Sequence, residues 1–261
     1  MTKKETVRFV KLKGCIAKLI TSPPVGQLIG WVFSDNIPSF GTRIDTRNDV
    51  SETVKASIFW RTYESTEIRF IKHYLRSDLD VIELGASIGV VSSHIAQKLC
   101  AGCKLVCVEA NPYIYKSIHD NLAKNASSTK CYIEQAAISY SNNEDGKTDF
   151  YMGETNLLSS LNPTEGMKVQ AEATTLTAII SKYKIGQYAL VMDIEGGELE
   201  IILHDHNALA NCQQIIAELH VSTDGGVKFG IDDLIRLLID KHEFALRALR
   251  GPVCVFERNS V

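Results

Sequence analysis

Hydrophobic positions from about residue 80 onward follow two different periods in turn. Short runs of apolar β-formers predict buried strands, and the segments between them carry apolar residues three and four positions apart, which predicts amphipathic helices. This alternation is typical of a mostly parallel sheet covered by helices on both faces. We place strands at 80–84, 104–109, 130–136, 189–194, 215–220, 243–248 and 253–257.

The clearest helical patterns lie at 90–99, 115–123 and 231–239. The last two strands are separated only by a turn at 250–252, which is too short for the crossover that a parallel pair needs, so these strands must be antiparallel. The predicted fold class is therefore α/β, with a doubly wound, Rossmann-like seven-stranded sheet that ends in an antiparallel hairpin.

Two regions lie outside this pattern. Proline and glycine interrupt the first 75 residues, where only 67–75 looks clearly helical, so we predict an N-terminal helical cap at 1–75 and one main domain at 76–261. A long polar segment follows the third strand and contains β-like pieces at 148–152 and 168–173. We expect these pieces to form a hairpin near the active face.

Composition narrows the class of protein. The chain has 261 residues, 45% of them hydrophobic, and a net charge of −3, which suits one large core and gives no overall basic field for nucleic acid. It has no apolar stretch long enough to span a bilayer and no secretory signal pattern at its start. The basic, amphipathic segment 11–20 leaves two alternatives open, a docked helix or peripheral contact with an anionic membrane surface.

Cysteine usage points to a reducing compartment. The seven cysteines are odd in number and have no framework spacing, so we expect a cytoplasmic protein. Cys100 and Cys103 form a lone C-x-x-C without a convincing second ligand pair, and no metal site is predicted there.

The segment 81–89, VIELGASIG, joins a strand to a helix through a glycine turn. Gly85 and Gly89 allow the backbone to pass close to a ligand, and the helix N-terminus stabilises negative charge held there. Glu83 adds an acceptor for a cationic or hydroxyl-bearing ligand. We therefore predict a ligand site that includes the turn residues Ala86 and Ser87.

Glu109 ends the second strand about 20 residues after Gly89, the spacing at which nucleotide-binding sheets bind ribose hydroxyls. Ser87 replaces the second glycine of a dinucleotide site and Glu83 would repel phosphates, which disfavours a nicotinamide cofactor. The pattern suits S-adenosyl-L-methionine, which offers an amino group, a carboxylate and a ribose. At the end of the third strand, an adenine edge is expected to meet Gln135, Ala136 and Ala137. The alternative is a plain strand end with small packing residues.

Carboxylates also leave the fourth strand, in the segment 191–202, VMDIEGGELEII. Asp193 and Glu195 precede two glycines at the carboxyl edge of the sheet, where such charges cost stability and suggest function. The alternative is that Glu195 and Glu198 only complement the dipole of the next helix. The cluster His204, Asp205 and His206 is interpreted as a solvated helix end.

The fifth strand ends in AELH, and its Glu218 and His220 join Asp193 and Glu195 as candidates to accept a proton at this edge of the sheet. A histidine has a near-neutral pKa, so His220 is a candidate base, or else a histidine that is simply hydrogen-bonded at a strand end. We hypothesise that Glu195 and His220 flank an acceptor hydroxyl, with Asp193 near the methionine end of the cofactor. Alternatively, Asp193, Glu195 and Glu218 hold magnesium, which chelation would test.

Six segments together resemble, in order and spacing, the FkbM family of S-adenosylmethionine-dependent methyltransferases: VIELGASIGV, VCVEANPYIYKSIHDNLAKN, EQAAIS, TTL at 174–176, VMDIEGGELEII and IIAELH. The resemblance covers about residues 60–258. Its most specific elements are D-x-E-G-x-E at 193–198 and E-x-N-P at 109–112. The chain departs from the family in having Glu83 for the usual Asp and Ser87 for the usual Asn.

The resemblance implies the class I methyltransferase fold and transfer of a methyl group to oxygen, often a sugar hydroxyl of a glycan, glycolipid or natural product. It implies cofactor contacts at Ala110 and Asn111, and at Tyr63 and Glu64, which match an upstream Y-E of the family. Two other functions stay open: a catalytically silent cofactor-binding module, and a magnesium-dependent O-methyltransferase of a non-sugar small molecule.

Overall fold

The computed structural model of the chain describes residues 18–48, 50–126, 128–141, 146–152, 159–160 and 167–259. By its contacts the chain divides into two compact units, Met1–Ser65 and Thr66–Val261. The domain boundary expected after residue 75 stays a prediction.

The described part of the N-terminal unit, from residue 18 onward, contains two helices and one pair of strands. Helix α1 (Pro23–Phe33) begins at a proline, whose fixed φ and missing N–H suit the first turn. Strands β1 (Asn36–Ser39) and β2 (Thr42–Asp45) pair antiparallel and are followed by helix α2 (Glu52–Phe59), whose N-cap is Ser51. The sequence pattern predicted a helical cap here and did not place this hairpin, because Pro38 and Gly41 interrupt its pattern in the sequence.

The second unit follows the alternation of strands and helices expected from the sequence. Its elements are α3 (Ser65–Tyr74), β3 (Asp80–Leu84), α4 (Val90–Lys98), β4 (Lys104–Glu109), α5 (Tyr115–Asn125), β5 (Lys130–Gln135), β6 (Ala137–Ile138), β7 (Lys147–Met152), β8 (Ser159–Ser160), β9 (Met167–Thr174), α6 (Leu176–Tyr183), β10 (Tyr188–Met192), α7 (Glu198–His204), α8 (His206–Asn211), β11 (Cys212–Glu218), β12 (Ser222–Asp224), β13 (Val227–Phe229), α9 (Ile231–His242), β14 (Phe244–Arg250) and β15 (Val253–Arg258).

Seven of these strands form one sheet in the order β14-β15-β11-β10-β3-β4-β5. The ladders from β11 through β5 are all parallel, whereas β15 pairs antiparallel with both β11 and β14. The predicted Rossmann-like sheet with a C-terminal antiparallel hairpin is thus confirmed. Strand order reverses between β3 and β10, and ligands of doubly wound sheets bind outside the carboxyl ends of the strands at such a point.

Alternate residues of the central strands pack into a buried core with helices α6 to α9. This core includes Ile82, Val106, Leu190, Ile215 and Phe256 from the sheet. Because side chains of a strand alternate between faces, the intervening residues, Glu83 among them, face the opposite side of the sheet.

The long segment between β5 and β10 carries its own small sheet. Strand β7 pairs antiparallel with β9 in the register Lys147↔Glu172 to Met152↔Met167, and β6 pairs parallel with β9. The β-like pieces predicted at 148–152 and 168–173 are therefore strands that pair. The prediction for 215–220 was shifted, since β11 begins at Cys212 and ends at Glu218.

Within the described parts of the chain, none of the helices has the length and apolar character needed to traverse a bilayer.

Candidate active site

The loops after β3 and β10 touch each other at the point where the strand order reverses. Gly85 has φ +84°, and a Cβ placed on it would lie 1.9 Å from the carbonyl oxygen of Asp193. The N–H of Asp193 in turn donates to the carbonyl of Leu84 at 3.0 Å. Only glycine fits at 85, because a side chain would occupy the space of the neighbouring backbone.

Glu83 is buried beneath this turn, with 1% of its surface exposed. The Ser92 hydroxyl of α4 donates to Oε2 at 2.5 Å, whereas Oε1 is buried with no N–H or O–H donor among the described residues. Burial raises the pKa of Glu83 to about 7, against the lowering effect of hydrogen bonds with the Ser92 hydroxyl and the Cys107 thiol. A thiol is a weak donor, so this buried carboxyl suits a cationic ligand group, which would restore the charged form.

Glu109 organises the neighbouring loop from the end of β4. Its Oε2 accepts the N–H of Ser87 at 2.8 Å and its Oε1 accepts the N–H of Asn111 at 2.8 Å, and Ala110 N–H also contributes. Burial raises the pKa of Glu109, and these backbone donors oppose that rise. Three backbone donors leave one of the four lone-pair sites of the carboxylate, which could accept a ribose hydroxyl. Ser87 itself has φ +49°, a conformation uncommon for serine.

The residues expected to meet adenine lie at the end of β5. Ala136 and Ala137 are buried, and the N–H of Ala136 donates to the Glu109 carbonyl at 3.1 Å. The exposed Gln135 donates its amide N–H to the carbonyl of Pro112 at 3.1 Å. The amide nitrogen of Gln135 is therefore engaged within the protein, and its carbonyl oxygen is the better candidate for an adenine amino group.

The four residues expected on the acceptor side come together around one imidazole. Nε2 of His220 lies 3.5 Å from Oε2 of Glu195 and 3.9 Å from both Oδ1 of Asp193 and Oε1 of Glu218. Oδ1 of Asp193 is buried and has no hydrogen-bond partner among the residues that the structure describes. Residues from the ends of β10 and β11 thus form a compact acid cluster beside the glycine turn.

Electrostatics in this cluster change the role expected of His220. Burial lowers the pKa of His220, but the hydrogen bond to Glu198 and the surrounding carboxylate charges outweigh it and raise the pKa to about 9. The imidazole is then protonated at neutral pH and is a poor proton acceptor. Burial and the charge of Glu218 raise the pKa of Asp193 to about 7, which makes this carboxylate a better matched base.

Two members of the site were missed as functional candidates. Glu198 is fully buried and its Oε1 lies 3.1 Å from Nδ1 of His220. Glu67 of α3, 4% exposed, places a carboxylate oxygen within 4.8 Å of those of Asp193 and Glu218. The sequence signal that could have found Glu67 is its position in α3, where a charged residue shares the helix face of Ile68 and Ile71, which are buried.

The interpretation of 204–206 as a solvated helix end was wrong for Asp205. His204 and His206 are exposed, but Asp205 is 5% exposed. It accepts the Tyr140 hydroxyl at 2.7 Å and the Thr177 N–H at 2.9 Å, and it is the N-cap of α8. Asp205 is therefore part of a buried polar network.

In the described part of the chain, two groups of oxygen and nitrogen atoms have a spacing that a cation could bridge: Asp193 with Glu195 and His220, and Glu67 with Asp193 and Glu218. A protonated His220 opposes cation binding in the first group. Acidic side chains often lie this close without an ion, so no metal is assigned. Cys100 and Cys103 are free thiols.

Tyr63 and Glu64 belong to the N-terminal unit. Their expected contact with the cofactor stays a prediction. Glu64 has φ +46°, which is unusual for a residue other than glycine.

The doubly wound sheet with an antiparallel β15, the glycine turn and the acidic strand ends define the chain as a Rossmann-like, class I methyltransferase. Residues 83–247 match the family described as Methyltransferase FkbM domain. This match spans more than half of the chain, and the protein belongs to that family. The predicted family, enzyme class and S-adenosyl-L-methionine cofactor are thereby confirmed.

Comparison with curated proteins gives no significant match. Among solved structures, the chain is similar to a ribosomal protein L11 methylase from Lactobacillus delbrueckii subsp. bulgaricus, with 11% identity, a TM-score of 0.48 and coverage of 86% of this chain and 91% of that one. It is also similar to Sp1610 of Streptococcus pneumoniae, a candidate tRNA (m1A22) methyltransferase in complex with S-adenosyl-L-methionine, with 13% identity, a TM-score of 0.44 and coverage of 76% and 74%.

Proposed function

We propose that the protein transfers the methyl group of S-adenosyl-L-methionine to a hydroxyl oxygen, in particular of a sugar in a glycan, glycolipid or natural product. The observation that supports this most is the cluster of Asp193, Glu195 and Glu218 around His220 at the strand ends. A hydroxyl must lose its proton when it becomes an ether, and this cluster offers several oxygens that can accept one. The choice of a sugar rests on the FkbM family resemblance.

The residues present fit the cofactor. The buried Oε1 of Glu83, which none of the described N–H or O–H groups contacts, suits an ammonium group, and the remaining lone pair of the Glu109 carboxylate suits a ribose hydroxyl. The wider set proposed to bind the cofactor comprises Gly85, Ala86, Ser87, Gly89, Ala110, Asn111, Gln135, Ala136, Ala137, Asp193, Tyr63 and Glu64. The bound cofactor would supply a methyl group activated by a sulfonium.

The chain's own residues would then orient the acceptor and remove its proton. Glu195 and His220 flank the acceptor hydroxyl, and Asp193 lies toward the methionine end of the cofactor. The proton passes from the acceptor oxygen to a carboxylate of the cluster, for which Asp193, with its pKa raised to about 7, is the best matched. His220 stays protonated and keeps the neighbouring carboxylates from repelling one another. Most of the rate gain would come from alignment in a site that excludes water.

Cofactor binding is tested by calorimetry with S-adenosyl-L-methionine. Because Glu109 accepts backbone N–H groups and is placed to accept a ribose hydroxyl, we expect Glu109→Gln to weaken binding roughly 10- to 100-fold, the worth of about 1.5–3 kcal/mol for a charged hydrogen bond. Asp240→Asn, which removes an exposed carboxylate of α9, is the matched control and should bind as the wild type does. A well-folded wild type that gives no heat of binding would refute the proposal.

The acceptor is tested with a panel of methyl glycosides, oligosaccharides and nucleotide sugars, together with non-sugar alcohols and phenols, using cofactor with an isotope-labelled methyl group. Mass spectrometry should find the label as a new methyl ether. Transfer only to phenols would remove the sugar assignment. Binding of the cofactor without transfer to any member would favour the catalytically silent alternative, and loss of transfer on chelation would favour the magnesium-dependent one.

A further inference from the structure

Glu198, in the first turn of α7, uses both carboxylate oxygens inside the protein. Oε1 accepts the N–H of Ile194 at 3.1 Å, and Oε2 accepts the N–H of Gly196 at 3.1 Å. Oε1 also lies 3.1 Å from Nδ1 of His220. With none of its surface exposed, this side chain joins the loop after β10 to the histidine after β11.

The loop that Glu198 holds is strained. Glu195 has φ +51°, a left-handed conformation that is unfavourable for a residue with a Cβ. The backbone N–H on each side of Glu195, at Ile194 and Gly196, donates to the same Glu198 carboxylate. Strain of this kind persists only when surrounding contacts fix it, and here one buried carboxylate supplies two of those contacts.

The same carboxylate orients the imidazole. Since Nδ1 of His220 faces Glu198, Nε2 is left facing Glu195 at 3.5 Å and Asp193 and Glu218 at 3.9 Å. Among the described residues, the ion-pair partners of His220 come from the β10 loop, from α7 and from the end of β11, and all of them are acidic. Glu67 of α3 adds a further acid next to two of them.

We propose that Glu198 is a positioning residue of the methyl-transfer site, holding the strained Glu195 loop and the His220 ring so that Nε2 of His220 faces Asp193, Glu195 and Glu218. This inference rests on the proposed function, in which that cluster receives the acceptor's proton. The competing interpretation is that Glu198 merely complements the dipole of α7. Glu200 separates the two interpretations, because it is another acid in the first turn of the same helix but accepts the N–H of Tyr140 and does not contact His220. A dipole effect should be shared by Glu198 and Glu200, whereas a positioning role belongs to Glu198 alone.

The test is an NMR titration of protein with labelled histidine rings, with the His220 signal assigned by His220→Asn. A charged hydrogen bond of about 1.5–3 kcal/mol corresponds to about 1–2 pH units, so Glu198→Gln should lower the His220 midpoint by that amount. Glu200→Gln, which removes an equivalent helix charge, should leave the midpoint where it is in the wild type. Equal midpoints in all three proteins would overturn the proposal.

A measurement on the wild type guards against a Glu198→Gln variant that does not fold. At neutral pH, long-range proton–nitrogen spectra should show a proton on Nδ1 of His220, donated to Glu198, and a bare Nδ1 would overturn the proposal. These spectra need no acceptor, so failure of the acceptor panel would remove the proposed function without deciding this point.

With an acceptor from the panel, Glu198→Gln should lower kcat at least about tenfold and leave the KM for the cofactor within about threefold. An unchanged kcat would exclude the positioning role.

Discussion

Replacing Gly85 by alanine tests the contact that brings the two halves of the site together. Two costs follow from the structure. Alanine in a left-handed conformation costs about 1–2 kcal/mol. The added methyl would also meet the Asp193 carbonyl at 1.9 Å, and relieving such an overlap in a packed region costs about 1–3 kcal/mol. We therefore expect Gly85→Ala to lower the free energy of unfolding by about 2–5 kcal/mol, a large part of the ~5–15 kcal/mol of a typical domain.

Gly102→Ala is the matched control. Gly102 has φ +94°, but a Cβ there meets nothing within 4 Å, so only the conformational cost of about 1–2 kcal/mol should appear. Urea unfolding followed by circular dichroism is the appropriate assay, because both tryptophans, Trp31 and Trp60, lie in the N-terminal unit. If the two variants lose the same stability to within about 0.5 kcal/mol, the backbone contact between Gly85 and Asp193 does not have the energetic weight argued here.

Two further changes probe buried carboxylates. The pKa of Glu83 is raised from 4.5 to about 7 by burial, so its stabilising contribution is present below about pH 4.5 and is lost as the pH rises through 7. Between pH 5 and 8, without cofactor, Glu83→Gln should therefore lose less stability than the wild type, by at most about 3 kcal/mol. Asp240→Asn is the control, and parallel pH profiles of Glu83→Gln and the wild type would contradict this prediction. Asp205→Ala removes the N-cap of α8 and the acceptor for Tyr140 and Thr177, so it should lower the free energy of unfolding in urea by about 2–4 kcal/mol. The control Asn207→Ala, at an exposed position of the same helix, should change it by less than about 0.5 kcal/mol. A loss below about 1 kcal/mol in Asp205→Ala would show that this polar network contributes little to stability.

The sheet was predictable because its strands are short apolar runs bounded by glycines and polar turns. The bounds 80–84 and 104–109 agree with β3 and β4. Strand β11 was placed three residues late, because Gln213 and Gln214 break its apolar pattern. Gln214 is nonetheless buried, with its amide bonded to the carbonyl of Tyr74 and the N–H of Arg76. A buried polar residue satisfied by distant backbone groups leaves no local signal.

The grouping of strand-end residues was also predictable, since carboxyl ends of parallel strands meet at one edge. This reasoning correctly brought Asp193, Glu195, Glu218 and His220 together. It could not show that Glu198 and Glu67 are buried members of the same group, because acids in the first turn of a helix are ordinarily explained by the helix dipole. Nor could it give the protonation state of His220, which depends on how many carboxylates surround the ring.

The excess of acid at this edge of the sheet is itself informative. Asp193, Glu195, Glu198 and Glu218 lie around one imidazole, Glu67 lies beside two of them, and Glu83 is buried under the adjacent turn, so the carboxyl groups outnumber the one His220 ring. Such crowding is unfavourable for the charged carboxylates, as the raised pKa values of Glu83, Asp193 and Glu218 indicate. If the cofactor binds here as proposed, its ammonium and sulfonium would offset part of this cost. Because methyl transfer removes the sulfonium charge, the same excess of acid would favour the charged cofactor over its demethylated product.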